Sequence, residues 1–321
     1  MTHHFITGVA GFVGSQLADS LLAKGFHVSG IDDLSLGRLE NIAAAQANFN
    51  FYFAKGDCSD VKVAQAALTA AADRAGVPDV IWHMAANSDI AAGVADASID
   101  FVRTLHTTYA IIEAARAVRA RNIAFASTSA VYGERDDLLT EESGPLLPIS
   151  SYGASKLAGE ALLSAAAESF LDRIWIFRFP NVVGPRATHG VIFDFLNRVA
   201  KTPSQLDVLG DGTQNKAYLH VSELISAMNF IVERADSKRN VFNIGPEGAG
   251  TSVSFIAEQV VAAAAAGARI VYSGGDRGWV GDVPRFRYST EKLARLGWRP
   301  KLASDAAVLR AIADLTGPAV R

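Results

Sequence analysis

The chain has 321 residues, 50% hydrophobic and 20% charged, with a formal net charge of −3. That length fits one large or two modest domains, and the composition excludes a disordered or fibrous chain, because it supplies enough apolar surface for a sizeable core. The mixed charges, the single cysteine and the lack of any run near the ~20 apolar residues that span a bilayer exclude a basic nucleic-acid face, an intrachain disulfide framework and a membrane helix. No nucleic-acid or membrane partner is expected. No basic and apolar leader opens the sequence, so a reducing cytoplasm is the expected compartment.

Strand and helix patterns alternate along the first half. "HFITG" reads as a strand, "GSQLADSLLAKG" as a helix, "HVSGID" and "NFYFAKGD" as strands, and "VAQAALTAAADRAG" as a helix. "VIWHMAA" is then a strand, "TYAIIEAARAVRA" a helix, "IAFAST" a strand, a helix starts near Tyr152, and "IWIFRF" is a strand. This alternation predicts an α/β fold with a doubly wound parallel sheet. After Pro180, Gly and Pro recur at Gly184, Pro185, Pro203, Gly210 and Gly212, which predicts a smaller α+β lobe of loops and short elements. "AYLHVSELISAMNFIVERA" and "VFNIG" are regular enough to return to the first lobe. The expected domains are 1–178, with 217–245 partly returning to it, and 179–321.

Between the first strand and the first helix, "TGVAGFVGSQ" spaces Gly8, Gly11 and Gly14 as GxxGxxG. Glycines there let the backbone approach a pyrophosphate that also meets the positive end of the helix, with Phe12 and Val13 in the same turn. The next strand ends at Asp32, about 20 residues on, where a carboxylate bonds an adenosine ribose diol and repels a 2′-phosphate. The pattern therefore points to NAD rather than NADP. Asp33, taken alone, reads as a solvated turn residue.

In "PISSYGASKLAGEALL", Tyr152 and Lys156 stand four apart on one predicted helix, with Ser150 or Ser151 as its cap, and so share a face. A cation beside the phenolate, together with an oxidised nicotinamide, is expected to lower the tyrosine from its usual ~10 and make it a proton acceptor. Thr128 and Ser129 end the preceding strand, on the side where ligands of open parallel sheets collect. A hydroxyl there can bond the same substrate oxygen as Tyr152. Each feature alone has an ordinary structural reading, and the combination carries the argument. His83 reads as a satisfied core histidine and Cys58 as a small buried residue. The seven histidines show no ligand spacing, so no metal is expected.

With these residues in view, "TGVAGFVG", "IDDLS", "GDCSD", "HMAA", "STSAVYGE", "SYGASK", "RFPNVVGPR", "GDGTQNKAYLHVSEL" and "RGWVGDVP" resemble, in order and across nearly the whole chain, the extended short-chain dehydrogenase/reductases. The likeness is to their nucleotide-sugar epimerase/dehydratase family, typified by UDP-glucose 4-epimerase. It implies an NAD-binding Rossmann domain and a nucleotide-sugar-binding domain. Thr128, Tyr152 and Lys156 would be the catalytic trio, with Tyr152 the base, Lys156 on the nicotinamide ribose and Thr128 sharing the substrate oxygen. Gly8, Gly11, Phe12, Val13, Gly14, Asp32 and Asp33 would hold NAD, together with Asp57 and Cys58 near the adenine and the small Ala85 and Ala86 beneath the cofactor. Ser88, Ser129, Ala130, Asn181, Val191, Lys216, Arg277 and Asp282 would meet a nucleotide-diphosphate sugar, most simply a UDP-sugar. A homodimer through a four-helix contact of segments 100–120 and 152–169 is also implied. The chain departs from the family pattern at Lys216 and Ala217, where Arg-Asp is common, and at Thr104 and Thr107, where Asn and Gly are usual.

The residues after Thr128 bear on the reaction. Dehydrating relatives follow the threonine with Asp-Glu, and decarboxylating ones carry Glu two residues on; here Ser129 and Ala130 stand instead. The resemblance then implies redox without elimination, an NAD-dependent 4-epimerase with UDP-glucose and UDP-galactose as the expected pair. Arg285 or Arg287 meeting a carboxylate would favour UDP-glucuronate, while the bulk of Phe286 argues against N-acetyl sugars. A decarboxylase, a 4-keto-sugar reductase and a non-catalytic NAD-sensing protein are the remaining readings.

Overall fold

The computed structural model describes residues 2–135, 137–275 and 287–317. Seven parallel strands form the central sheet, in the spatial order Arg239–Asn243, Arg173–Phe179, Asn122–Thr128, Val80–His83, His3–Thr7, His27–Asp32 and Phe51–Lys55. The chain starts in the middle, adds two strands on one side, then returns to build the other. Its order reverses between His3–Thr7 and Val80–His83, where Thr7 lies opposite His83, and this switch point opens a crevice beyond the carboxyl ends of the strands.

Successive side chains of a strand point to opposite faces, so both faces need apolar residues when both are covered. Phe5 turns to one core and Ile6 to the other, each fully buried. The first face carries Phe5, Ile31, Ile81, Ile123 and Phe125 under the helices Val61–Ala75, Thr107–Val118 and Ser151–Ser169. The second carries Ile6, Val28, Trp82, Trp175 and Phe177 under Phe12–Ala23 and Val221–Arg234. A third apolar cluster joins the helices Val191–Lys201, Val253–Ala264 and Ser304–Thr316 over the paired strands Gln205–Val208 and Arg269–Tyr272.

One stretch differs from the regular helix that the family resemblance implies over 100–120. Phe101–His106 is π-helical and runs directly into Thr107–Val118. Thr107 Oγ1 donates to the Val102 carbonyl, five residues back, at 3.2 Å, and Thr108 Oγ1 donates to Thr104 O at 2.9 Å. π turns are rare and concentrate at functional sites, and no residue pattern predicts this one. Among the described residues no helix is long and apolar enough to cross a membrane.

Candidate functional site

A cavity of about 690 Å³ opens at the switch point. Its first wall is the turn after His3–Thr7. Gly8 takes φ +69°, and Gly11 N–H closes on Gly8 O at 3.1 Å. At Gly14 an added Cβ would lie 2.9 Å from the Gly8 carbonyl carbon and closer still to its oxygen, so only glycine lets the helix start this near the turn. The helix Phe12–Ala23 has no acidic residue in its first turn and no side-chain cap, which leaves its N–H groups facing the cavity for an anion.

Asp32 braces this loop. Its Oδ2 accepts from Ala10 N–H at 2.9 Å and its Oδ1 from Leu34 N–H at 2.8 Å. Burial raises its carboxyl above the usual range, and these backbone N–H groups pull it back. Gly37 packs over the carboxylate, where a Cβ would come within 2.6 Å of Oδ1. The cradle, the bare helix end and the acid on the second strand suit the pyrophosphate and ribose diol of NAD. Asp57, Cys58, Ala85 and Ala86 line the same cavity, as do Phe12, Val13 and Asp33. Cys58 is buried, and its thiol is pushed up to about 12, chiefly by burial, so it is an inert wall rather than a nucleophile.

The second wall comes from Asn122–Thr128 and the helix Ser151–Ser169. Ser150 caps that helix by accepting from Gly153 N–H at 3.1 Å, which sets Tyr152 in its first turn. The Thr128 hydroxyl accepts from Ala130 N–H at 3.1 Å, at the end of its strand and beside Tyr152 on the cavity wall. Lys156 is buried, donates to Ala126 O at 2.6 Å, and places its ammonium 5.9 Å from the Tyr152 ring centre. Thr128, Tyr152 and Lys156 thus meet at one point of the cavity, beside Ser129 and Ala130.

The expected lowering of the tyrosine calls on both the cation and an oxidised nicotinamide, and the packing of the chain itself acts in the other direction. Burial pushes the Tyr152 hydroxyl well above its usual value, the Asp100 carboxylate adds to the rise, and the neighbouring Thr128 hydroxyl opposes it. Burial also pushes Lys156 down to about 7, against the Glu160 and Asp100 carboxylates. Desolvation outweighs the single cation, because both groups leave water together. His83 is fully buried between the Thr7 and Thr108 hydroxyls at 2.8 and 3.1 Å and is held neutral, down to about 3, first by burial and then by the Lys156 charge.

On the far side, Ser88, Asn181, Val191 and Lys216 line the cavity. Lys216 sits on a two-residue strand paired with Thr251–Ser252. Arg277, Asp282, Arg285 and Phe286 lie outside the described residues. Arg287 is exposed, pairs with Leu138 at a strand edge and faces a second cavity beside Arg135 rather than this one. Thr107 lines the main cavity, whereas Thr104 stands behind it, where its hydroxyl accepts from Asn87 N–H at 3.1 Å.

Three residues around the site carry no role in the sequence reading. Glu160, one turn beyond Lys156, takes a bidentate pair from Arg178 (Nη2–Oε2 2.6 Å, Nε–Oε1 3.0 Å) and a 2.5 Å bond from Ser127 Oγ. Asp100 is fully buried behind Asn87. Spacing from Lys156 would have found Glu160, and Arg178 opens the quoted RFPNVVGPR without its partner being legible there, but nothing local marks Asp100.

The model of the NAD dependent epimerase/dehydratase family matches residues 4–245. The chain is 31% identical over 321 residues to a UDP-glucose 4-epimerase of Mycolicibacterium smegmatis, covering 96% of each protein. Solved structures of UDP-glucose 4-epimerase from Thermotoga maritima, with UDP-glucose, and from Thermus thermophilus, with NAD, each superpose with a TM-score of 0.85, at 26% and 27% identity. They cover 98% of this chain and 98% and 99% of their own.

Proposed function

The chain belongs to the NAD-dependent epimerase/dehydratase family, and from that premise we propose that it interconverts a nucleotide sugar and its 4-epimer, with UDP-glucose and UDP-galactose as the pair. NAD is its cofactor, held by the glycine turn, the helix end and Asp32. Bound NAD supplies the acceptor that takes and returns the carbon 4 hydrogen.

The observation that carries the reading is the convergence of Thr128, Tyr152 and Lys156 on the cavity with no acid in the two positions after Thr128. The Tyr152 oxygen takes the proton of the carbon 4 hydroxyl, and Thr128 bonds that same oxygen, which orients it. Lys156 stabilises the phenolate form of Tyr152 that accepts this proton, and the tyrosine is a neutral phenol once it has done so. The 4-keto sugar turns over within the cavity, and Tyr152 gives the proton back. Ser129 and Ala130 offer no group to remove a carbon 5 proton or to expel water, so the cycle closes without elimination. The exposed Phe101, Val102, Tyr109 and Leu162 on the helices beside the site support a homodimer through those helices.

The test is incubation with UDP-glucose and no added reductant, followed through the anomeric proton signals by NMR. UDP-galactose is expected to appear, and Tyr152→Phe is expected to slow its appearance by roughly 10²–10⁴-fold, the usual worth of a placed proton acceptor. Undiminished turnover in that variant would overturn the mechanism. Turnover of UDP-glucuronate alone would overturn the substrate.

A further inference from the structure

We propose that His83 is a positioning residue: with its proton on Nε2 it closes a directed hydrogen-bond chain that fixes segment 85–87 against the glycine turn, and so presets the wall that receives NAD. This rests on the cofactor assignment above and not on the choice of sugar. Ala85 N–H donates to Thr7 Oγ1 at 3.1 Å, and that hydroxyl lies 2.8 Å from His83 Nδ1. His83 Nε2 lies 3.1 Å from Thr108 Oγ1, which donates to Thr104 O at 2.9 Å, and Thr104 Oγ1 accepts from Asn87 N–H at 3.1 Å. Thr7, His83, Thr104 and Thr108 are all buried, so a ring nitrogen or hydroxyl left unpaired here is costly. The outer bonds decide the inner ones. Thr7 Oγ1 already accepts from Ala85, which turns its own proton toward Nδ1; Thr108 gives its proton to the Thr104 carbonyl, which leaves its oxygen to accept from Nε2–H. The other tautomer sets the Thr7 proton against an N–H and draws the Thr108 proton off its carbonyl. The neutral state that burial enforces on the ring agrees with this order.

The chain crosses the switch point, where the cavity opens. Thr7 ends the strand His3–Thr7 immediately before Gly8, and His83 ends the neighbouring strand Val80–His83. At Gly8 an added Cβ would lie 3.0 Å from both the nitrogen and the Cα of Ala85, so the glycine turn rests directly on the backbone that Thr7 tethers. Gly8, Ala85 and Asn87 all line the cavity, so a shift between the turn and segment 85–87 reshapes its wall. The other end of the chain reaches the π-helical Phe101–His106 and the start of Thr107–Val118, where Thr107 lines the same cavity. Thr108 also abuts the helix Ser151–Ser169, since a Cβ at Gly159 would come within 3.3 Å of its Oγ1. The His83 ring stacks on Phe125 at 5.5 Å, and the Lys156 ammonium stands 4.7 Å from the centre of that same ring. One imidazole thus ties the cofactor turn to the helix that carries Tyr152 and Lys156, and its two nitrogens do different work: Nδ1 serves the turn, Nε2 the helices.

The experiment reads the tautomer and NAD binding rather than turnover. Protein labelled with ¹⁵N at histidine is studied by long-range ¹H–¹⁵N NMR, with the His83 signals assigned by their loss in His83→Gln; the Nε2–H pattern is expected, and an Nδ1–H pattern overturns the proposal. The two nitrogens are then removed separately. An asparagine amide falls at the Nδ1 position and keeps the Thr7 bond, whereas a glutamine amide reaches the Nε2 position and keeps the Thr108 bond. Isothermal titration with NAD is expected to show about a tenfold loss of affinity in His83→Gln, as for one buried group left unpaired, and less than about a threefold loss in His83→Asn. Thr7→Val, which removes the hydroxyl that holds Ala85, is expected to match His83→Gln, and Thr7→Ser, which restores it, to bind as the wild type does. Equal losses in the two His83 variants, or wild-type affinity in Thr7→Val, overturn the proposal, because a ring that merely fills the core would not distinguish its nitrogens. Should the His83 variants not fold, the wild-type tautomer and the Thr7 pair decide, with the signal then assigned by its shift in Thr7→Val. A wild type that binds no NAD strikes the cofactor assignment and this proposal with it, whereas NAD binding by a protein with an Nδ1–H ring strikes this proposal alone.

Discussion

Glu160 and Arg178 offer the clearest test of what holds the catalytic helix to the sheet. Their side chains are 7% and 6% exposed and meet through two bonds, 2.6 and 3.0 Å, while Ser127 Oγ donates to the same carboxylate at 2.5 Å. Ser127 precedes Thr128, and Ala126 accepts from Lys156, so this pair lies directly behind the trio. Breaking a buried pair by removing one partner costs roughly 3–5 kcal/mol, because the other charge is left without compensation. Glu160→Gln keeps one acceptor oxygen for the guanidinium, so its cost belongs near the lower end, about 3 kcal/mol. Against a typical total of about 5–15 kcal/mol, that is a large share. The assay is urea unfolding followed by far-UV circular dichroism, where about 3 kcal/mol moves the midpoint by up to roughly 1 M at an unchanged slope, the slope of so long a chain being at or above ~3 kcal/mol/M. The double variant Glu160→Leu with Arg178→Met removes both charges and fills the space, so it is expected to lose less than Glu160→Gln alone. A loss below about 1 kcal/mol in Glu160→Gln, or a double variant that loses the sum of its singles, would refute the argument that an uncompensated buried charge dominates.

Gly14→Ala places a methyl against the Gly8 carbonyl, and since both atoms belong to backbone the turn must open. Overpacking of that kind costs about 1–3 kcal/mol, and isothermal titration with NAD is expected to show at least a tenfold loss of affinity; wild-type affinity would show that the turn yields freely. His83, held down to about 3 in the fold against 6.5 unfolded, takes up its proton on unfolding. Its contribution to stability is therefore intact above pH 6.5 and falls as the pH drops toward 3, by up to ~1.4 kcal/mol per unit. Between pH 7.5 and 5.0 the wild type should lose about 2 kcal/mol more than His83→Asn in urea unfolding, and equal losses would contradict the assignment of a buried neutral imidazole. Phe101 and Tyr109 are 57% and 44% exposed, so Phe101→Asp with Tyr109→Asp is expected to convert a dimer to a monomer in light scattering, and an unchanged mass would place any association elsewhere.

The parts of the site that could be read from the sequence are those fixed by local geometry. Gly8 and Gly14 are dictated by a turn in which a Cβ has no room, and Asp32 by the end of the next strand. Tyr152 and Lys156 follow from the helical period, and Thr128 from the end of its strand. Ionisation is a different kind of property, because desolvation sums over everything packed around a group, and that packing comes from distant segments. The motif places a cation beside a phenol, but it does not show that the fold buries both or that a carboxylate 52 residues upstream of Tyr152 raises both groups. Glu160 could be traced by its spacing from Lys156, yet its partner Arg178 lies on another strand, and only the pairing of Asn122–Thr128 with Arg173–Phe179 brings them together. Asp100 had no such route, since a π turn follows it and the period that predicts helix faces fails there. Two carboxylates therefore flank one lysine on unequal terms: Glu160 is already paired with Arg178, whereas Asp100 has one oxygen unpartnered. Both carboxylates favour the charged form of Lys156, Glu160 on its own helix more than Asp100 from the segment Ala97–Asp100, so the lysine answers to a residue its own helix places and to one that only the fold brings near.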